Sequence, residues 1–311
     1  MKARLAALAV ALAACAGDSV DVTGLEARYP QLRALSPHRL GESRPYALAF
    51  GGELVLFLCR WPGDAPIPVS IGSEAEERQS EALAAALRGW EGAGLGVRFV
   101  RVDGPGAIRV RVRDDIVTSQ ADTVADCAIE GPPAPGAAEV PGAQLVGASI
   151  HLARDDLNPR LTLLHELGHA LGFQGHVPHG STLMLSRHAD VVARASRVTA
   201  SSPVDDAALR ALYAVPPGAI VARIPVSPSQ TLLADRLRAV AAERGLVGPF
   251  ARMGDREGLL WWAGGAGQRL ALRIEGAPGA LRNPAALRLS PASAEARRIL
   301  GPNGAALPGA G

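Results

Sequence analysis

The chain has almost no excess charge: 32 basic residues face 30 acidic ones, a formal net charge of +2 over 311 residues. Lysine is nearly absent, with Lys2 the single example and arginine supplying every other basic side chain. Such a balance gives no basic footprint for nucleic acid. Cysteine is scarce at three, so any covalent framework is small. The apolar run Leu5–Ala14 is too short to cross a bilayer, and no internal repeat is present. What remains is 48% hydrophobic and 20% charged, enough for a core, while 35 Gly and 24 Pro imply much loop. The length suits one full domain plus something smaller.

The amino terminus reads as an export signal: Lys2 and Arg4, then the apolar run, then small residues. Leu12-Ala13-Ala14-Cys15 resembles the bacterial lipobox, in which the cysteine is lipidated and becomes the first mature residue. The other reading is an ordinary signal cut near Ala16. Residues 1–14 are thus expected to be a signal peptide, and 15–50 a tether with at most a short helix. Taking Lys2 and Arg4 from the 32 basic residues leaves 30, equal to the 30 acidic ones, so no nucleic-acid partner is expected. Cys59 and Cys127 then remain, and in an oxidising compartment such a pair predicts a disulfide. Ala16 rather than Asp after the cysteine points to the outer membrane of a two-membrane host, facing periplasm or exterior.

One stretch organises the rest: His165-Glu166-Leu167-Gly168-His169-Ala170-Leu171-Gly172-Phe173-Gln174-Gly175-His176. Histidines four apart share a helical face, so both imidazoles can reach one ion. Glu166 stands about 100° round the helix from His165, beside the ion, where it can take a proton from water. Gly172 permits a helix end with φ > 0, and the returning chain can present His176 as third ligand. Three neutral nitrogens leave one tetrahedral position of Zn²⁺ open, as catalytic sites do. An amphipathic helix alone would account for Leu163, Leu164, Leu167 and Leu171, but not for Glu166, Gly172 and His176.

Along the chain, strands are expected at 53–58, 67–71, 97–102, 108–112 and 148–152. A helix over 74–90 would be capped by Ser73 with Glu76 in a capping box. Arg109, Arg111 and Arg113, alternating with Ile108, Val110 and Val112, read as a solvated sheet face. Residues 114–146 read as a long Pro- and Gly-rich loop carrying Cys127. The histidine helix should span 159–173, and another helix 205–213. Beyond that, 229–243 is helical in pattern and 259–263 with 269–274 forms a hairpin. Trp261-Trp262 reads as one core ring and one half-exposed ring.

At the histidine stretch the chain resembles metzincin metallopeptidases, most of all matrixins, over roughly residues 60–216. Arg60-Trp61 with Ile67-Pro68-Val69 is similar to the family's first strand, and Ala86-Leu87-Arg88-Gly89-Trp90-Glu91 to its first helix. Met184, eight residues after His176, falls where the family places the methionine of the Met-turn. The resemblance implies an α+β fold: a twisted mixed sheet, mostly parallel, on long helices, with a zinc cleft. On that reading 51–218 is the peptidase domain, 219–300 a small α+β C-terminal extension, and 301–311 a loose tail. The chain departs from the family's H-E-x-x-H-x-x-G-x-x-H pattern, since Gly175 stands at the third histidine's place and His176 comes one later. His179 is the other candidate ligand. His151, Asp155 and Asp156 resemble a family strand bearing structural zinc and calcium ligands, but no histidine lies between His38 and His151, so no structural Ca²⁺ or second zinc is carried over. Thermolysin-like, aspzincin and astacin-like signatures are not found around the motif.

The expected function is a membrane-anchored zinc metalloendopeptidase acting on polypeptide, with His165, His169 and His176 as ligands and Glu166 as general base. The competing readings are a non-catalytic surface binding module on the same fold, and a hydrolase of cell-wall peptides.

Overall fold

The computed structural model describes residues 23–35, 45–116, 121–176, 183–184, 203–254, 257–277 and 283–301. The expectations for residues 1–14, Cys15 and His179, and for the tail after 301, lie outside the described residues.

The fold is mixed α+β. A short helix α1 (Thr23–Arg28) precedes β1 (Tyr46–Phe50), β2 (Glu53–Phe57) and β3 (Ile67–Ile71). Next come α2 (Glu77–Glu91), β4 (Phe99–Arg101), β5 (Ile108–Arg113), β6 (Ala121–Ala128) and β7 (Gln144–Ala153). The histidine helix is α3 (Pro159–Ala170), followed by α4 (Pro203–Ala214), β8 (Ile220–Pro225) and α5 (Pro228–Glu243). The chain closes with β9 (Val247–Met253), β10 (Glu257–Ala263), β11 (Arg269–Glu275), β12 (Arg288–Pro291) and α6 (Ala294–Leu300).

Nine strands form one sheet in the order β12-β11-β10-β9-β6-β7-β5-β3-β4, and β1-β2-β8 form a second. Pairings β4–β3, β3–β5 and β5–β7 are parallel. From β7 outward every pairing is antiparallel. The Arg109, Arg111 and Arg113 side chains are exposed and Ile108, Val110 and Val112 buried, as a solvated sheet face requires.

Three departures have physical causes. The loop expected over 114–146 contains the eight-residue strand β6. Its inward residues include only small ones, Ala125 and Cys127, a weak period-2 signal between stretches dense in Pro and Gly. The cap of α2 is Glu76, its side chain answered by Gln79, rather than Ser73. Trp261 and Trp262 are both buried, Trp261 being stacked on Phe250 with the Arg252 and Arg269 guanidinium groups over its ring.

The described residues of the segments read as tether and extension pack with the main body. Leu25, Leu32 and Tyr46 belong to the same buried cluster as the residues of α3 and of β9–β11. β1 pairs with β2, and β2 with β8, so hydrogen-bonded sheet crosses both expected boundaries, at 50/51 and 218/219. The β1–β2 turn is held from the extension: Gly51 N–H donates to the Asp235 carboxylate at 3.0 Å and Gly52 N–H to Thr231 Oγ1 at 2.8 Å. Hydropathy gives no account of such partnerships, because they join residues far apart in sequence.

Candidate metal centre

α3 begins at Asn158, whose Oδ1 accepts from Leu161 N–H, with Pro159 in the first turn. It is buried nearly all round, which suits a helix lying between a sheet and a second helix. Two indoles fix its position: Trp90 Nε1 donates to Leu164 O at 2.9 Å and Trp61 Nε1 to Ala170 O at 2.8 Å.

The helix ends in a Schellman turn. Gly172 N–H bonds to His169 O at 2.9 Å and Phe173 N–H to Gly168 O at 3.2 Å. Gly172 has φ of 111°, where a side chain would be strained. This turn aims the Phe173 carbonyl back at the helix, where it meets His169 Nδ1 at 2.7 Å. The Leu183 carbonyl meets His165 Nδ1 in the same way. A carbonyl only accepts, so each Nδ1 carries the proton and each Nε2 a lone pair.

Those Nε2 atoms converge. His169 Nε2 lies 3.1 Å from His165 Nε2 and 3.2 Å from His176 Nε2. Two lone-pair nitrogens make no hydrogen bond with each other; their facing is the arrangement a cation completes. Tetrahedral zinc with Zn–N bonds of about 2.0–2.1 Å sets ligand nitrogens roughly 3.3 Å apart, close to the observed spacing. The backbone-anchored Nδ1 groups are the outer support that metal-bound histidines use. The donor set therefore fits zinc. Among the described residues, His165, His169 and His176 are the group with metal-binding geometry.

Glu166 is buried beside them, and its Oε2 accepts from Thr123 Oγ1 of β6 at 2.6 Å. Burial pushes its carboxyl above the usual carboxylate range. His165 and the Thr123 hydrogen bond pull the other way, and Asp122 and Asp156 add to the rise. Sequence reasoning missed Thr123, because it lies in the stretch read as loop. Met184 is buried against the helix at Gly168, where an added Cβ would stand 2.5 Å from its Sδ. The glycine between His165 and His169 thus makes room for the methionine.

Cys59 and Cys127 are joined by a disulfide. It ties the segment entering the domain to β6, and the Cys59 carbonyl lies against Gly172. Tyr213 Oη of α4 donates to Leu171 O at 3.0 Å, holding the same turn from another side.

No family model and no curated protein matches this chain. Among solved structures 78 chains match. One is high choriolytic enzyme 1, a hatching enzyme zinc-protease from Oryzias latipes (medaka fish), 23% identical over 38% of this chain and 50% of that one, with a TM-score of 0.25. The match therefore spans half of that protein. A superposition at that score carries no argument about this chain; the residues of the site do.

Proposed function

We propose that this chain is a zinc-dependent peptidase. The observation that carries the reading is the convergence of His165, His169 and His176 Nε2 on one point, with Nδ1 of the first two tied to carbonyls and the Glu166 carboxylate alongside. When bound there, zinc supplies Lewis-acid polarisation of a carbonyl and acidifies a water. The chain's own residues do the rest. Glu166 Oε2 is held by Thr123, which keeps one carboxylate oxygen occupied and orients the other for proton transfer. Glu166 accepts the proton from the attacking water and returns it to the departing amine, so that acid and base are one group. Burial of Glu166, His165 and His169 keeps bulk water from competing for those positions. An extended peptide bonded through its main chain to the outer edge of β6 at Ala121 and Thr123, with which no described strand pairs, would reach Glu166.

The reading extends, as the sequence suggests, to attachment at a bacterial envelope through a lipid on Cys15. Among the described residues no helix is long and apolar enough to cross a membrane. Labelling with an alkyne fatty acid tests the anchor; wild type that incorporates none is an ordinary exported protein.

The test of the chemistry uses zinc-loaded protein on unfolded casein and on casein peptides, scored by new amino groups. Hydrolysis that Glu166→Ala abolishes while zinc stays bound supports the peptidase. Stoichiometric zinc with no hydrolysis of any substrate would favour a binding module instead.

A further inference from the structure

Main-chain groups of a strand point alternately to its two neighbours. The Ala125 carbonyl of β6 accepts from Tyr46 Oη of β1 at 3.3 Å, so Ala125 faces away from β7, and Thr123 and Ala121 face the same way. Beyond Ala125 the outer edge is taken. Cys127 and Ala128 pair antiparallel with Ala251 and Phe250 of β9. Between them the Arg252 guanidinium grips the Asp126 carboxylate with bonds of 2.7 and 2.9 Å. No described strand pairs with the outer edge at Ala121 or Thr123. Thr123 is also the residue whose hydroxyl holds Glu166. Among the described residues, the unpaired edge therefore begins at the residue that holds the carboxylate and is closed two residues downstream.

Building on the peptidase reading, we propose that β9 and Tyr46 restrict this site to cleavage close to the amino terminus of its peptide substrates. A peptide laid antiparallel on β6, as β7 and β9 both are, runs in the same direction as β9 and occupies the line beyond Met253. Its residue opposite Thr123 is the one presented to Glu166. Residues before that one run towards Ala125, whose carbonyl Tyr46 already holds, and then into β9. At about 3.4 Å per residue the open length on that side is roughly 7 Å, enough for about two residues. A chain that starts there fits. A longer one must leave the edge and forfeit its main-chain bonds. On the other side no described strand pairs with Ala121, and the inference lays the carboxyl-terminal part of the peptide there.

The experiment uses the full zinc-loaded chain with a pool of tryptic casein peptides, new amino termini being mapped by mass spectrometry. Cuts should fall within about the first three residues of each peptide. The best-cut peptide, remade with four residues added at its amino end, should be cut at least about ten-fold more slowly. The same addition at its carboxyl end should change the rate less than about two-fold. Affinities of the Glu166→Gln variant for these three peptides, by fluorescence polarisation, should fall in the same order. Cuts spread evenly through peptide interiors, with both extensions tolerated, overturn the inference and leave the peptidase standing. A protein holding one zinc that cuts no peptide overturns the peptidase reading, and this inference with it.

Discussion

A Cβ placed on Gly172 would stand 2.5 Å from the carbonyl oxygen of Cys59, and the backbone there has φ of 111°. The turn that delivers His176 is thus pressed against the segment that carries the disulfide. Two features of one residue, its missing side chain and its left-handed backbone, allow this.

Gly172→Ala should therefore destabilise the fold by at least about 1–3 kcal/mol, from backbone strain and the contact with Cys59 together. Because the same turn holds the Phe173 carbonyl against His169 Nδ1, zinc affinity should fall as well. Denaturant melts and zinc titration check this; an unchanged midpoint would mean that the turn relaxes freely.

Thr123→Val keeps the side-chain shape and removes the donor to Glu166, whereas Thr123→Ser keeps the donor. A hydrogen bond to a charged group is worth about 1.5–3 kcal/mol, so the valine variant should lose roughly ten- to a hundred-fold in kcat with little change in zinc content. Serine should restore most of it. Equal rates for valine and wild type would show that the bond does not orient the carboxylate.

The third ligand can be settled by zinc content. His176→Ala should lose most of the metal, since His176 Nε2 is 3.2 Å from His169 Nε2. His179→Ala should keep its zinc, because Pro178 restricts the tight return a ligand at 179 would need. The reverse pattern would reassign the ligand and spare the hydrolase.

Alkylation of the native protein without reductant should leave Cys59 and Cys127 unmodified, as their disulfide requires. With a sequence separation of 68, replacing both by serine should cost up to about 4 kcal/mol. Because Cys127 lies on β6, the loss should also loosen the strand that carries Thr123. Two alkylated thiols in folded protein would contradict the bond.

What could be read in advance was local. The histidine helix, its glycine stop and the third histidine are encoded within twelve consecutive residues, because a helical period and a left-handed turn each depend on near neighbours. The disulfide followed from counting the cysteines that remain once the amino terminus is read as an export signal. Helices such as α2 and α5 announced themselves by their apolar spacing, and the hairpin β10–β11 by its glycines. The long-range pairings could not be read this way. β6 has small inward residues and sits among prolines and glycines, so its strand character depends on β7 and β9 lying on either side. Thr123 touches Glu166 across 43 positions of sequence, and Tyr46 touches Ala125 across 79. The amino-terminal segment and the extension look separable along the chain, yet described residues of both are pulled into one core by strands β1, β8 and β9. Local propensity set the three histidines on one helix and turn; sheet pairing between distant strands decided what stands beside them.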